Sequence, residues 1–458
     1  MEQEDKGKRD LKDEDQAKSA IGRREFLGAA GAASFLIIRP ELVFGSRANS
    51  AIRLGLLGCG GRGTGVATSF AENTTARITA LADLFQDQLD KAKQHFDGIA
   101  AKKGYAGIDR KLMFKGAHAF QEIANSKDLD MIQISTPDYF HPEHLDAVVN
   151  AGKHVYCEKP AGVDVTGSKR ILEIGRKAEG RLSLEIGFQI RSAPPYVEWV
   201  KRIHGGALGK ISCASVYYHA TKNAYPDRGK MSPMELRIRN FYWDRVLSGD
   251  IIVDQSIHVV DICNWALKAH PLKAVGAGGR KVADDWGNYW DHFDVIYTYP
   301  DNVHVSLNHF QSGEALWDVS ERFFGSKGVA EAHYSGVVGI YGDEPWEWEG
   351  SVSQTTAEPG HANIYMRSND KSASAARTAG NFSDALQFAD AEKDKGFIES
   401  ITSGKYHNQA AKGVEAALSA QLGRMAAYTG REVTWDELLA SNQTYDPEME
   451  GIDLSEFA

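Results

Sequence analysis

The feature that most constrains this chain is a short apolar run that leads straight into a glycine cluster. Residues 51–57 read Ala-Ile-Arg-Leu-Gly-Leu-Leu, and Gly58-Cys59-Gly60-Gly61-Arg62-Gly63 follows at once. The run predicts a β-strand, and a helix is expected from about Thr64 to Glu72. In a G-x-G-x-x-G turn each glycine has its own reason. Gly58 permits the tight turn, Gly60 lets the backbone approach a pyrophosphate, and Gly63 lets the helix pack close to the strand. The turn at Gly61 and the helix start offer free N–H groups and a positive dipole end to phosphate. Arg62 either reaches that phosphate or is a solvated turn residue.

The context extends the motif. A second strand, Ala76 to Ala82, is expected to end at Asp83, 20 residues after Gly63. That is the place of the acid that accepts from a ribose 2′-hydroxyl. The next residues, Leu84 and Phe85, bring no cation, so a 2′-phosphate would meet a carboxylate without a nearby positive charge. The reading favours NAD over NADP. Helices are expected at 86–96, 118–125 and 143–151, and strands at 131–135 and 154–157. Strands alternating with helices predict a parallel sheet covered on both faces. Ligands bind at the carboxyl ends of such strands, where Thr136-Pro137-Asp138 and Glu158-Lys159-Pro160 stand beside the glycine loop.

Composition removes other classes. In 458 residues, 52 Lys and Arg against 62 Asp and Glu leave a net charge of −10. An acidic surface repels phosphate backbones, so nucleic acid is not an expected partner. Cys59, Cys157, Cys213 and Cys263 show no Cys-x-x-Cys spacing and read as buried thiols. No metal-ligand cluster with convincing spacing stands out. No run of 18 apolar residues supports a spanning helix. Near the start, Arg23-Arg24-Glu25-Phe26-Leu27-Gly28 opens an apolar run to Ile38 that Arg39-Pro40 stops. The run is too short to span a membrane but has the length of a signal h-region. Residues 1–48 therefore resemble a twin-arginine export signal, which implies a periplasmic protein. The alternative is a frayed N-terminal helix packed on the protein.

Several motifs in order resemble the Gfo/Idh/MocA oxidoreductases, a family that includes glucose–fructose oxidoreductase and inositol dehydrogenase. They are Cys-Gly-Gly-Arg-Gly, Thr136-Pro137 with His141, Glu158-Lys159-Pro160, Gly187-Phe188-Gln189-Ile190-Arg191, Asp254-Gln255-Ser256-Ile257-His258 with Asp261, and Thr429-Gly430-Arg431-Glu432-Val433-Thr434-Trp435. The resemblance covers roughly residues 51–440. It implies an α/β chain with an N-terminal Rossmann domain at 49–170 and a C-terminal α+β domain at 171–440, followed by a tail at 441–458. The second domain would carry an open, mostly antiparallel sheet whose free face supports homo-oligomers. The implied chemistry is hydride transfer between nicotinamide and a secondary hydroxyl of a sugar, cyclitol or related polyol. Thr136, Pro137, His141, Glu158, Lys159 and Gln189 are implied cofactor contacts, with His141 and Gln189 at the nicotinamide ribose or amide.

The residues themselves suggest how such chemistry would run. Oxidising an alcohol needs a base for the hydroxyl proton, and the imidazole of His258 titrates near neutral pH. Asp254 precedes it by four residues and Asp261 continues the same stripe, so one buried helix with a polar seam is expected. Asp254 would orient His258 or hold the substrate hydroxyl; the alternative is a hydrogen-bonded core pair. Lys159, at a strand end, would hydrogen-bond the reacting oxygen. Glu158 would pair with a backbone donor or the ribose. Arg191 would hold a substrate hydroxyl or carboxylate, or form a structural ion pair. Tyr289 and His292, in Trp-Gly-Asn-Tyr-Trp-Asp-His, are candidate sugar contacts, against a reading as sheet core and loop packing. Residues 340–382 read as a long surface excursion, a lid or oligomer arm. Helices return at 385–403 and 412–428.

Export adds a constraint. No free NAD pool is expected outside the cytoplasm, so the cofactor would be held tightly and regenerated in each cycle. Paired sugar oxidation and reduction satisfies this, and so does a redox-neutral NAD-dependent glycosidase. A nucleotide-dependent sugar-binding or sensor protein is the non-enzymatic alternative, but it has no need to keep Lys159, Asp254 and His258 together.

Overall fold

The computed structural model describes residues 51–220, 229, 231–283, 287–311, 318–334, 337–349 and 389–448. The expected signal at 1–48 lies outside these residues, as does most of the 340–382 excursion.

The first half builds a six-stranded parallel sheet. Its strands are β1 (Arg53–Leu57), β2 (Arg77–Asp83), β3 (Met113–Lys115), β4 (Met131–Ile134), β5 (His154–Cys157) and β6 (Leu184–Ile186). They lie in the order β3-β2-β1-β4-β5-β6. Helices α1 (Gly61–Asn73), α2 (Gln86–Lys103), α3 (Ala119–Asn125), α4 (His141–Asn150) and α5 (Val165–Ala178) are the crossovers. Helix α2 ends where Gly104 turns left-handed at φ 75°, a conformation that glycine adopts without strain. Every residue of β4 is buried, which is why its sequence is a continuous apolar run broken only by Gln133. The Gln133 amide NH2 donates to the Gly63 carbonyl at 2.9 Å, while its buried Oε1 has no protein partner. This sheet is the predicted Rossmann arrangement.

The second half forms a nine-stranded sheet, preceded by α6 (Pro194–His204). Its strands are β7 (Ile211–Ala220), β8 (Lys273–Gly279), β9 (His292–Thr298), β10 (His304–Gln311), β11 (Asp318–Gly325), β12 (Gly328–His333), β13 (Val338–Gly342), β14 (Trp346–Glu347) and β15 (Val433–Thr434). The order is β14-β13-β12-β11-β7-β10-β9-β8-β15. All pairings are antiparallel except β10 with β7. Trp346 and Glu347, read from sequence as part of a surface excursion, are the edge strand β14. Burial alternates along β9, with Phe293, Val295 and Tyr297 inward and Ile296 exposed. Val275 and Ile296, register partners on β8 and β9, are exposed on the other face, among polar neighbours such as Asp294 and Ser306.

After β7 come α7 (Pro233–Arg239), α8 (Arg245–Ser248), α9 (Ile251–Asp254) and α10 (Ile257–Leu267), and later in the chain α11 (Ala389–Thr402), α12 (Ala410–Thr429) and α13 (Trp435–Ser441). The small residues of α12 let it touch both sheets. A Cβ on Gly413 would stand 2.8 Å from Ile186 of β6, and one on Gly423 would stand 2.1 Å from the Tyr297 hydroxyl of β9. Helix α11 returns to the first sheet. Phe397 lies fully buried between Phe70 of α1 and Tyr156 of β5, with ring centroids 6.1 and 6.4 Å away.

The expected single helix through Asp254, His258 and Asp261 is broken. Helix α9 ends at Asp254, α10 begins at Ile257, and Gln255 (φ −110°) and Ser256 lie between them. Polar residues fix the break: Asp250 caps α9 by accepting from Ile251 N–H at 2.8 Å, Gln255 Oε1 meets His309 Nε2 at 3.0 Å, and Ser256 Oγ meets His309 Nδ1 at 2.6 Å. The cysteines are free thiols; Cys59, Cys157 and Cys263 are buried, whereas Cys213 is only half-buried.

Candidate active site

The glycine loop sits at the carboxyl end of β1. Gly58 has φ 92°, and a Cβ there would stand 2.4 Å from the Ser135 carbonyl. A Cβ on Gly63 would stand 2.0 Å from the Gly58 carbonyl, so the loop and helix touch backbone to backbone. Gly60 and Gly61 differ: a Cβ on either meets nothing within 4 Å. Helix α1 starts there with no capping side chain and no acid in its first turn. An open approach to uncapped N–H groups is what a pyrophosphate requires, so the loop fits a dinucleotide.

Asp83 is the loop's anchor. Its Oδ2 accepts from Cys59 N–H at 2.7 Å and its Oδ1 from Phe85 N–H at 2.9 Å. Burial raises this carboxyl above its ordinary range, against the pull of those two N–H groups. Contrary to the sequence expectation, a cation is near. Arg239 of α7 lies over the Phe85 ring, 3.7 Å from its centroid, and its charge reaches Asp83. Arg62 stays exposed but is held by two carboxylates. Its Nε donates to Glu158 Oε1 at 2.8 Å and its NH1 to Asp390 of α11 at 3.3 Å. Glu158 also accepts from the Tyr156 hydroxyl at 2.8 Å. Glu158 thus pairs with side chains where a backbone donor or ribose was expected.

At the carboxyl end of β5, Lys159 crosses to the second half. Its Nζ donates to Asp254 Oδ1 at 2.7 Å and to the Asp254 carbonyl at 2.5 Å. Burial opposes the ammonium, but the Asp254 and Asp138 carboxylates outweigh it and raise its pKa. Asp138, which follows Pro137, is itself buried. Burial first, and then the Asp254 charge, push its carboxyl well up.

The break after Asp254 separates it from His258. Asp254 serves Lys159, while Asp261 receives Arg191 through two 2.8 Å bonds, the structural ion pair of the two readings of Arg191. His258 lies among Phe188 and Tyr334, with ring centroids 6.2 and 6.4 Å away. Burial, and then the Lys159 charge, hold it neutral, well below the usual histidine range. Its Nδ1 is buried with no protein hydrogen-bond partner, and so is Gln189 Oε1. Orphaned buried polar atoms of this kind, the His258 nitrogen within reach of the Lys159 charge, are what a bound nicotinamide and substrate would satisfy.

The remaining candidates are placed as follows. His141 has both ring nitrogens on carbonyls, Nδ1 to Pro160 at 2.9 Å and Nε2 to Thr136 at 3.0 Å, and so pins two strand-end loops together. The Thr136 hydroxyl meets His144 Nδ1 at 2.9 Å, and Pro137 caps a short turn at 138–140. Tyr289 is fully buried against Trp243, 4.8 Å between centroids. His292 is tied to Asp291 at 2.7 Å. Sequence reasoning missed Asp138, Arg239 and Asp390. Only Asp138 had a local signal, its place beside Thr136-Pro137 at a strand end.

Comparison with known proteins decides the family. A model of the oxidoreductase family with an NAD-binding Rossmann fold (GFO_IDH_MocA) matches residues 52–186, and a model of the GFO/IDH/MocA C-terminal domain matches residues 196–331. The chain belongs to the Gfo/Idh/MocA oxidoreductases. It is similar to inositol 2-dehydrogenase of Rhizobium meliloti (strain 1021), 24% identical over 292 residues, or 63% of this chain and 78% of that protein. It is also similar to a glycosyl hydrolase family 109 protein of Solibacter usitatus, 34% identical over 113 residues, 25% of each chain. Among solved structures, scyllo-inositol dehydrogenase from Lactobacillus casei with bound cofactor NAD(H) and scyllo-inositol has a TM-score of 0.61 at 18% identity, covering 84% of this chain and 99% of that one. Aldose-aldose oxidoreductase from Caulobacter crescentus has a TM-score of 0.62 at 18% identity with the same coverage. These structural likenesses carry the fold of a Gfo/Idh/MocA oxidoreductase. Among the described residues, no helix is long and apolar enough to cross a membrane.

Proposed function

We propose that this Gfo/Idh/MocA oxidoreductase moves hydride between a tightly held NAD and a secondary hydroxyl of a cyclitol, sugar or related polyol. The observation that carries this reading is the Lys159–Asp254 pair, which sets a charged ammonium at the carboxyl edge of the Rossmann sheet, beside a neutral His258 with an orphaned nitrogen. Gly58, Gly60, Gly61 and Gly63 would hold the pyrophosphate, Asp83 the adenosine ribose, and Gln189 the nicotinamide end. The nicotinamide, when bound, supplies the hydride acceptor. Lys159 orients the substrate oxygen by donating to it and stabilises the charge that grows there. His258, kept neutral by burial, receives the hydroxyl proton at Nδ1. Asp254 fixes the Lys159 ammonium. Asp83 selects NAD because its carboxylate accepts a 2′-hydroxyl and repels a 2′-phosphate.

A second reading, redox-neutral glycoside cleavage, is supported by the 34% identity to the glycosyl hydrolase family 109 protein. One experiment separates the readings. The purified chain is given NAD with a panel of cyclitols and aldoses, followed by NADH fluorescence, and separately aryl glycosides with no added nucleotide. NADH formation that falls about 10²–10⁴-fold in His258→Ala, with NADH affinity kept, supports the first reading. Aglycone release without net NADH selects the second. Turnover unchanged in His258→Ala removes the histidine from the role. No turnover on either panel, with cofactor bound, turns the reading toward a sugar sensor. The acid limb of kcat/KM should lie below about 6.5, the ordinary histidine value, because His258 resists protonation.

Residues 1–48 are assigned in the same reading to twin-arginine export into the periplasm, supported by Arg23-Arg24 before the apolar run. Replacing both arginines with lysine should keep the protein in the cytoplasm. The exposed Val275–Ile296 pair on the open face of the second sheet supports a homo-oligomer, checked by light scattering.

A further inference from the structure

The adenosine end of a Rossmann site lies where β2 stops. There the fold supplies a cation and, with it, something to restrain that cation. Arg239 ends α7, far along the chain from Asp83, yet its side chain is only 9% exposed against the first domain. Its guanidinium covers the Phe85 ring at 3.7 Å. Its Nε donates to Glu235 Oε1 at 2.8 Å. Its NH2 and NH1 donate to Asp87 Oδ1 and Oδ2 at 2.7 and 3.3 Å. Asp87, in the first turn of α2, also takes Lys91 Nζ at 3.0 Å and remains 44% exposed. Asp83 senses both partners with opposite signs: the Arg239 charge lowers its pKa and the Asp87 charge raises it, both behind the larger effect of burial.

The geometry of the guanidinium is the point. The NH1–NH2 edge is the fork that takes two oxygens of a phosphate, and here it takes two oxygens of a carboxylate. A 2′-phosphate and Asp87 therefore compete for the same donors. Without Asp87, a cation with an open fork would stand next to the ribose acceptor. With it, the fork is already filled by a carboxylate, which disfavours an added dianion.

We propose that Asp87 is a specificity-determining residue of the cofactor site: it occupies the Arg239 fork, so a 2′-hydroxyl is accepted beside Asp83 and a 2′-phosphate is refused. Discrimination is thus achieved by an occupied cation as well as by the ribose acid. The proposal rests on the reading of Asp83 as the ribose acceptor, and the test keeps the two apart.

NADH and NADPH dissociation constants are measured by fluorescence titration of the nucleotide-stripped full chain. The variants are Asp87→Asn, Arg239→Ala, the double variant, and Asp83→Asn, each with a thermal melt to show that it folds. Asp87→Asn should tighten NADPH by about tenfold or more, from a freed charge-assisted pair, and leave NADH within about threefold. The double variant should lose that gain, because the gain belongs to Arg239. If Arg239→Ala fails to fold, Arg239→Gln replaces it in the cycle. An unchanged NADPH affinity in Asp87→Asn overturns the proposal, and so does a gain that survives removal of Arg239. Asp83→Asn reads the underlying assignment separately: an unchanged NADH preference there overturns the ribose role of Asp83, whatever Asp87 does.

Discussion

The two sheets bury themselves in different ways. The parallel sheet is covered on both faces, so neighbouring residues of β4 are equally hidden; Met131 and Ile132 point to opposite sides and are both 0% exposed. The nine-stranded sheet is covered on one face, and along β9 Val295 is 2% exposed while Ile296 is 46% exposed. A strand closed on both sides tolerates no polar alternation, whereas a strand closed on one side requires it. The first sheet takes most of its cover from its own β-helix-β crossovers, with α11 and α12 added from later in the chain. The second must borrow its cover from helices distant in the chain, chiefly α12.

The largest expected effect probes the doubly covered strand. Met131→Ala and Ile132→Ala should each cost about 2–5 kcal/mol in chemical denaturation, although the two side chains face opposite layers. A cost confined to one of them would break the contrast. Next comes the carboxyl edge of the same sheet. Gly63→Ala forces a Cβ to within 2.0 Å of the Gly58 carbonyl and should lose about 1–3 kcal/mol of stability. Gly60→Ala, with φ −70° and open space around it, should melt like the parent yet bind NADH at least about tenfold more weakly. Weak binding with a lowered melt in Gly60→Ala would mean that the loop is structural only.

A third prediction concerns the covered face of the second sheet. Glu321 of β11 is fully buried, its Oε2 accepting from Tyr196 at 3.0 Å and its Oε1 without a partner. Burial raises its pKa to about 8. The folded chain then keeps a proton that the unfolded chain releases above about 4.5, so stability falls as pH rises from there through 8. Glu321→Gln keeps the acceptor and removes the charge; at pH 8 it should stabilise the protein by about 1–3 kcal/mol, with the gain vanishing near pH 4. A gain independent of pH would mean that Glu321 does not hold its proton. The smallest effect belongs to the bare face. Ile296→Thr should fall within about 0.5 kcal/mol of the parent in the isolated subunit, and a larger loss would show that this face is covered in solution.

This asymmetry also explains what the sequence could and could not reveal. Four strands of the parallel sheet were legible because each carries its own apolar signal: β5 runs from His154 to Cys157 as read, and β1, β2 and β4 shift by a residue or two, whereas the short strands β3 and β6 were not read. The mixed α/β character of the whole chain followed from that alternation and from the family resemblance. Three further features were not legible, two of them because they are non-local. The break between Asp254 and Ile257 contains no glycine or proline; it is made by His309 from β10 holding Gln255 and Ser256. Arg239 approaches Asp83 through folding, so a search of the residues after β2 finds no cation. Trp346 and Glu347 look like loop because a two-residue edge strand has no period to read. The individual strand-end side chains could be named from the sequence. Their pairing could not: Lys159 meets Asp254 across 95 residues, and Arg62 meets Asp390 across 328.

Phe397 has a consequence for how the protein is made. It fills the space between Phe70 and Tyr156, deep in the nucleotide half, yet roughly 200 residues separate it from the last strand of that half, which at ordinary translation speeds is about 10–40 seconds of synthesis. During that interval the emerging nucleotide half has its strands and its glycine loop but not its final aromatic plug. It stays unfinished on the ribosome until the helix that carries Phe397 has been made. For the same reason, a fragment cut after β6 would lack part of its own interior. The half that looks most like a separable module is the one that cannot be completed without the end of the chain.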